Sequence, residues 1–122
     1  MTLKELYEMI DGDYEQAVNV LRVDKLIDKH VRKICDNEVV TKLIDAREGM
    51  DPTVLFEAAH AMKGVCGNLG LTTLAKHASD IAEEYRPGNE RKMSDDEVKG
   101  IIDQIEELYK KTCEAIREYQ NQ

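Results

Sequence analysis

Apolar residues recur along the chain at intervals of three and four, and this spacing predicts a string of helices separated by short breaks. Thr2-Leu3-Lys4-Glu5 has the form of a capping box, and Leu3, Leu6, Tyr7 and Ile10 follow at helical spacing until Gly12-Asp13. A second stretch carries Ala17, Val18 and Leu21. A third runs from about Asp24 with Leu26, Ile27, Val31, Ile34 and Cys35. Asp36-Asn37 then either ends a helix or bends one, and Val39, Val40, Leu43 and Ile44 mark a stripe within Glu38 to Glu48. Gly49 suits the position just past a helix end, while Asp51-Pro52 reads as an N-cap followed by a proline in the first turn.

The next helix is expected over about residues 52–68, with Gly70 placed to end it. Leu71, Leu74, Ala75, Ala78, Ile81, Ala82 and Tyr85 form the following stripe, closed by the turn Pro87-Gly88-Asn89. Ser94-Asp95-Asp96-Glu97 is a second capping box, its acids suited to the positive end of a helix. The last helix is expected to reach about Tyr119, with Val98, Ile101, Ile102, Ile105, Leu108, Tyr109, Cys113 and Ile116 inward. No strand pattern or internal repeat is present. Amphipathic stretches joined by short turns imply an antiparallel bundle.

Composition agrees with this reading. The 122 residues are 42% hydrophobic and 34% charged, with two prolines, one phenylalanine and no tryptophan. Such a chain suits one helical domain over residues 1–122. Its net charge of −8 opposes nucleic acid and anionic membrane as partners, and no apolar run approaches bilayer length. Met1 and the polar tail suit a complete small protein, although a trimmed fragment would look the same. Three widely spaced cysteines (Cys35, Cys66 and Cys113) predict reduced thiols and a cytoplasmic chain. A self-contained bundle is expected to be monomeric.

The chemistry concentrates in AAHAMKGVCGNLG. At about 100° per residue, His60, Lys63, Gly64 and Gly67 share one helix face, opposite Leu55, Ala58, Met62, Val65, Cys66 and Leu69. Burial of the apolar side therefore directs His60 into water. An outward histidine is ordinarily just a solvated residue, but two glycines on its own face each cost a helix about 1 kcal/mol relative to alanine. Their use is to clear space for a partner. Lys63, one turn on, can reach a charge carried by the imidazole, whose neutral nitrogen is a nucleophile. The glycine run lacks the Gly-Lys-Ser/Thr ending and preceding strand of a phosphate loop. His30 and His77 read as surface or packing residues, Cys66 as a core thiol, and no His/Cys set has metal-ligand spacing.

Ala59-His60-Ala61-Met62-Lys63-Gly64, with Asn68-Leu69-Gly70 behind it, resembles the signature of the histidine-containing phosphotransfer (HPt) family, and the helical layout agrees along nearly the whole chain. Departures are apolar or small exchanges at Met62, Val65 and Cys66. The resemblance implies an all-α, antiparallel up-and-down four-helix bundle with an additional short N-terminal helix. It implies that His60 accepts a phosphoryl group from an aspartyl phosphate of a receiver domain, in a response regulator or hybrid histidine kinase, and passes it to another. Lys63 would stabilise the phosphorylated state, Gly64 would admit the receiver, and Ser79 and Arg86 are the candidates for a polar or basic group near the phosphoryl. The protein would be a phosphocarrier without kinase activity, needing no cofactor or metal of its own, with Mg2+ on the receiver. Competing readings are a receiver-binding adaptor, which would have no need of the nucleophile, the phosphotransfer module of a larger chemotaxis-type kinase, and a plain structural bundle, which leaves the two glycines unexplained.

Overall fold

The computed structural model describes residues 1–121 and is all helical among them. Three short helices come first: α1 (Leu3–Met9), α2 (Tyr14–Leu21) and α3 (Asp24–Lys33). A 3-10 turn (Ile34–Asp36) leads to α4 (Glu38–Gly49), α5 (Pro52–Asn68), α6 (Thr72–Tyr85) and the long α7 (Asp95–Gln120). The four longer helices close a ring, α4 on α5, α5 on α6, α6 on α7 and α7 on α4, while α1 and α3 lie against α7 and α2 against α5. The core contains fully buried Leu6, Ile27, Leu43, Leu55, Met62, Leu74, Ile81, Ile102, Ile105 and Ile116, each contributing about 1.5–3 kcal/mol through its removal from water.

Both expected capping boxes form, Thr2 with Glu5 and Ser94 with Glu97. Asp51 caps α5, accepting from the Thr53 and Val54 amides at 2.9 and 3.3 Å ahead of which Pro52 needs no partner. Asp36-Asn37 ends one helix and begins another: the 3-10 turn tightens the chain, and the Asn37 side chain caps α4 through the Val39 amide at 2.9 Å. Two details differ from the sequence expectation. The left-handed residue after α4 is Met50 (φ 50°), and Gly49 is the last helical residue. Leu26 is exposed, because the buried line of this segment runs through Ile27, Val31 and Ile34, one step away.

The cysteine expectation is overturned more substantially. Cys35 and Cys113 form a disulfide with Cα atoms 5.7 Å apart despite a sequence separation of 78 residues. The bundle lays the 3-10 turn against α7, where the Tyr109 hydroxyl donates to the Ile34 and Cys35 carbonyls at 3.2 and 3.3 Å, one turn before Cys113. Wide spacing was therefore no measure of distance, and the thiol argument for a reducing compartment falls away. Cys66 alone is free; it is buried, and burial pushes its thiol up to about 12, leaving it protonated.

The turn after α5 is fixed by Gly70. Leu71 N–H donates to the Cys66 carbonyl at 2.9 Å and Gly70 N–H to the Gly67 carbonyl at 3.1 Å, the paired bonds of a Schellman motif. Gly70 has φ 71°, and a Cβ there would lie 2.2 Å from the Asp13 carbonyl oxygen. The Gly70 carbonyl in turn accepts the Asp13 amide at 2.7 Å, and Tyr7 donates its hydroxyl to the Leu69 carbonyl at 2.5 Å. One turn thus ends the α5 helix and holds the N-terminal helices. We expect Gly70→Ala to destabilise the protein by about 2–4 kcal/mol, from left-handed strain plus displacement of the Asp13 backbone. Urea denaturation would measure it, and an unchanged midpoint would refute this role.

Candidate functional site

The middle of α5 presents the expected division of faces. Leu55, Ala59, Met62 and Cys66 are fully buried, and Ala58 and Leu69 nearly so; Val65 is only half-buried. His60 and Gly64 are exposed, and Lys63 and Gly67 are half-buried beside them. A Cβ built at Gly64 or at Gly67 meets no atom within 4 Å. Neither glycine is required by packing inside the chain, so the face they leave bare is open ground next to the imidazole.

The imidazole has an aromatic neighbour that sequence reasoning overlooked. Phe56 lies one turn before His60 on α5, and the two rings stack with centroids 5.6 Å apart and planes 21° from parallel. The signal was present, since positions i and i+4 share a helix face. Stacking limits the orientations the imidazole can take without hiding it.

The end of α6 adds the charge. Arg86 precedes Pro87, which disfavours helical backbone at Arg86; the residue leaves the helix at φ −58°, ψ 129°. Its guanidinium carbon then lies 5.8 Å from the Phe56 ring centroid. Two guanidinium nitrogens donate to the Glu83 carboxylate, the shortest bond being 2.7 Å. Those bonds from Arg86 hold the Glu83 carboxyl below the usual carboxylate range, with a smaller contribution from the positive charge of Lys63. His60, Phe56, Arg86 and Glu83 thus form a continuous chain of contacts, with Lys63 close enough to act on its far end.

Of the other residues singled out from the sequence, Ser79 is half-buried on α6, and among the described residues no hydrogen bond joins it to His60. His30 is exposed on α3 and His77 half-buried on α6. No group of three or more His, Cys, Asp or Glu residues able to hold a metal ion occurs among the described residues.

A second polar cluster lies at the end of α6. Glu84 is buried, accepting from the Lys92 and Met93 amides at 2.9 and 2.8 Å and from Arg91 Nε at 2.6 Å. Burial alone would raise this carboxyl, but the three donors outweigh it and hold the group below its ordinary value. The clamp fixes the loop between α6 and α7, and with it the end of α6 that carries Arg86.

No curated protein and no solved structure gives a significant match to the chain. The model of the Hpt domain matches residues 27–117, which include α4 to α6, most of α3 and all but the last residues of α7. With three-quarters of its length matched, and with an exposed histidine in the motif, the chain belongs to the histidine-containing phosphotransfer family.

Proposed function

We propose that His60 is the phosphoryl acceptor of this Hpt domain and that the protein relays the group between receiver domains. Membership of the family makes the chain a phosphotransfer component of two-component signalling; the finer assignment rests on the geometry around His60. The observation that carries it is the exposed imidazole beside two glycines whose missing side chains would meet nothing in the chain itself. A receiver must bring its aspartyl phosphate within bonding distance of a nitrogen atom standing on a convex helix, and bare backbone on that helix permits the approach.

The transfer is an in-line displacement. The lone pair of a neutral imidazole nitrogen attacks phosphorus; an N–P bond forms as the P–O bond to the aspartyl carboxylate breaks, and the carboxylate leaves with the electron pair. Onward transfer is the reverse reaction with a second receiver. Phe56 restricts the ring to productive orientations, and Lys63 and Arg86 supply positive charge for the three phosphoryl oxygens. Gly67, bare on the same face of α5, leaves room for the receiver, and Ser79 on α6 is a candidate polar group for the phosphoryl oxygens. Mg2+ acts on the receiver's side of the interface. The bundle closes its own core, which suits a monomer, and among the described residues no helix is long and apolar enough to cross a membrane. With two cysteines paired, a cytoplasmic location rests on the partner reading alone.

Incubation with a panel of phosphorylated receiver domains, followed by tracking of the label, tests the proposal. Label should move onto this chain and off again to a second receiver, whereas an adaptor would bind receivers and take none. With ATP and magnesium alone the protein should remain unlabelled, because no phosphate-binding loop accompanies the histidine. Autophosphorylation of the pure chain would refute the carrier reading.

A further inference from the structure

We propose that Glu83 is a positioning residue that restrains the site: its carboxylate holds the Arg86 guanidinium over Phe56, and a phosphoryl group on His60 must compete with it for that cation. This inference rests on His60 as acceptor. Its basis is the order of the contacts. Glu83 is bonded to Arg86 through both Nε and Nη2, Arg86 lies over Phe56, and Phe56 lies on His60. The cation is therefore one aromatic ring away from the imidazole and already partnered. Its backbone is fixed as well, since the Arg86 amide donates to the Glu83 carbonyl at 3.4 Å and the Asn89 side-chain amide donates to the same carbonyl at 3.0 Å. Only the side chain can swing.

The charges give the direction of the effect. A phosphoryl group brings close to two negative charges and three acceptor oxygens to His60. The cations at hand are Lys63 and Arg86; Glu83 is ion-paired with Arg86 and also feels the positive charge of Lys63. While Glu83 retains Arg86, the phosphoryl group is only partly neutralised, and its energy on His60 stays high. That favours onward transfer over storage. Replacing the carboxylate with an amide of the same shape frees Arg86 and stabilises the phosphorylated state. Because Glu83 and Arg86 are exposed and part-exposed, the effect is of the size an exposed ion pair supports, about two- to five-fold.

The test uses phosphoramidate, a small donor that phosphorylates accessible histidines without any receiver; ammonia leaves as the imidazole N–P bond forms. A 31P titration then reads the second ionisation of the phosphohistidine, near pH ~6 in an ordinary phosphoryl group. Glu83→Gln should lower the proton affinity of the phosphoryl group about two- to five-fold relative to wild type. Arg86→Gln should raise it, and in that background the further change Glu83→Gln should have clearly less effect than it has alone. Thermal unfolding of each variant checks that the bundle is intact, and Glu83→Asp should behave like wild type. An unchanged titration in Glu83→Gln overturns the proposal. So does an equal effect with and without Arg86, which would mean that Glu83 acts through space and not by holding the guanidinium. If phosphoramidate labels His60 but no phosphorylated receiver does, the relay reading fails and the titration still decides the role of Glu83. If phosphoramidate leaves His60 unlabelled, both fail.

Discussion

His60→Gln should fold like the wild-type protein and accept no phosphoryl group from any receiver. The side chain is exposed on the middle of α5, and glutamine is a good helix former, so stability should change by no more than about 0.5 kcal/mol. The stacking on Phe56 is lost, but that contact lies at the surface, with Phe56 itself half-buried. Function should vanish, because the amide nitrogen of glutamine has no nucleophilic lone pair to replace that of imidazole. The chain contains two other histidines, His30 exposed on α3 and His77 half-buried on α6; His30 also has a lysine three residues on, Lys33, but neither histidine has the glycines that clear the face beside His60. Circular dichroism and label transfer on the one variant suffice. Label that persists in His60→Gln, or that maps to His30 or His77, would remove His60 from the mechanism.

Gly64→Gln should separate stability from transfer. Glycine inside a helix costs about 1 kcal/mol against a good helix former, and the Cβ added here meets nothing within 4 Å. The variant should therefore be more stable by up to about 1 kcal/mol. Yet the new side chain projects one turn from His60 on the face a receiver must approach, and transfer should fall about tenfold or more, the equivalent of ~1.4 kcal/mol lost from the encounter complex. Thermal stability and transfer rate, measured together, distinguish the outcomes. A less stable variant with a normal rate would show that Gly64 serves packing. A more stable variant with an unimpaired rate would show that this face is not where receivers dock.

Much of this molecule was legible in its residues because the relevant interactions are local. Caps act within three residues, as at Thr2, Asp51 and Ser94, and an apolar stripe fixes which face of a helix is buried. The direction of His60 followed from the apolar face of Leu55, Ala58, Met62 and Cys66 on the same helix, and the two bare glycines lay in the same motif as the histidine. Local pattern was weaker where one position decides the answer: Leu26 fell one residue off the buried line, and the left-handed turn after α4 settled on Met50 beside the glycine.

What the sequence determined by itself was the set of helices, their buried faces and the outward histidine, since each depends on spacing within a few turns of one chain segment. Tertiary structure decided which helix ends meet. It brought Arg86 from the end of α6 to Phe56 on α5, placed Cys35 against Cys113 across the bundle, and buried Glu84 among amides eight and nine residues ahead of it. None of these pairs has a periodic signature. Their distances depend on how helices pack and where loops turn, and a side chain's partner across such a gap is set by the whole core that holds the helices in place.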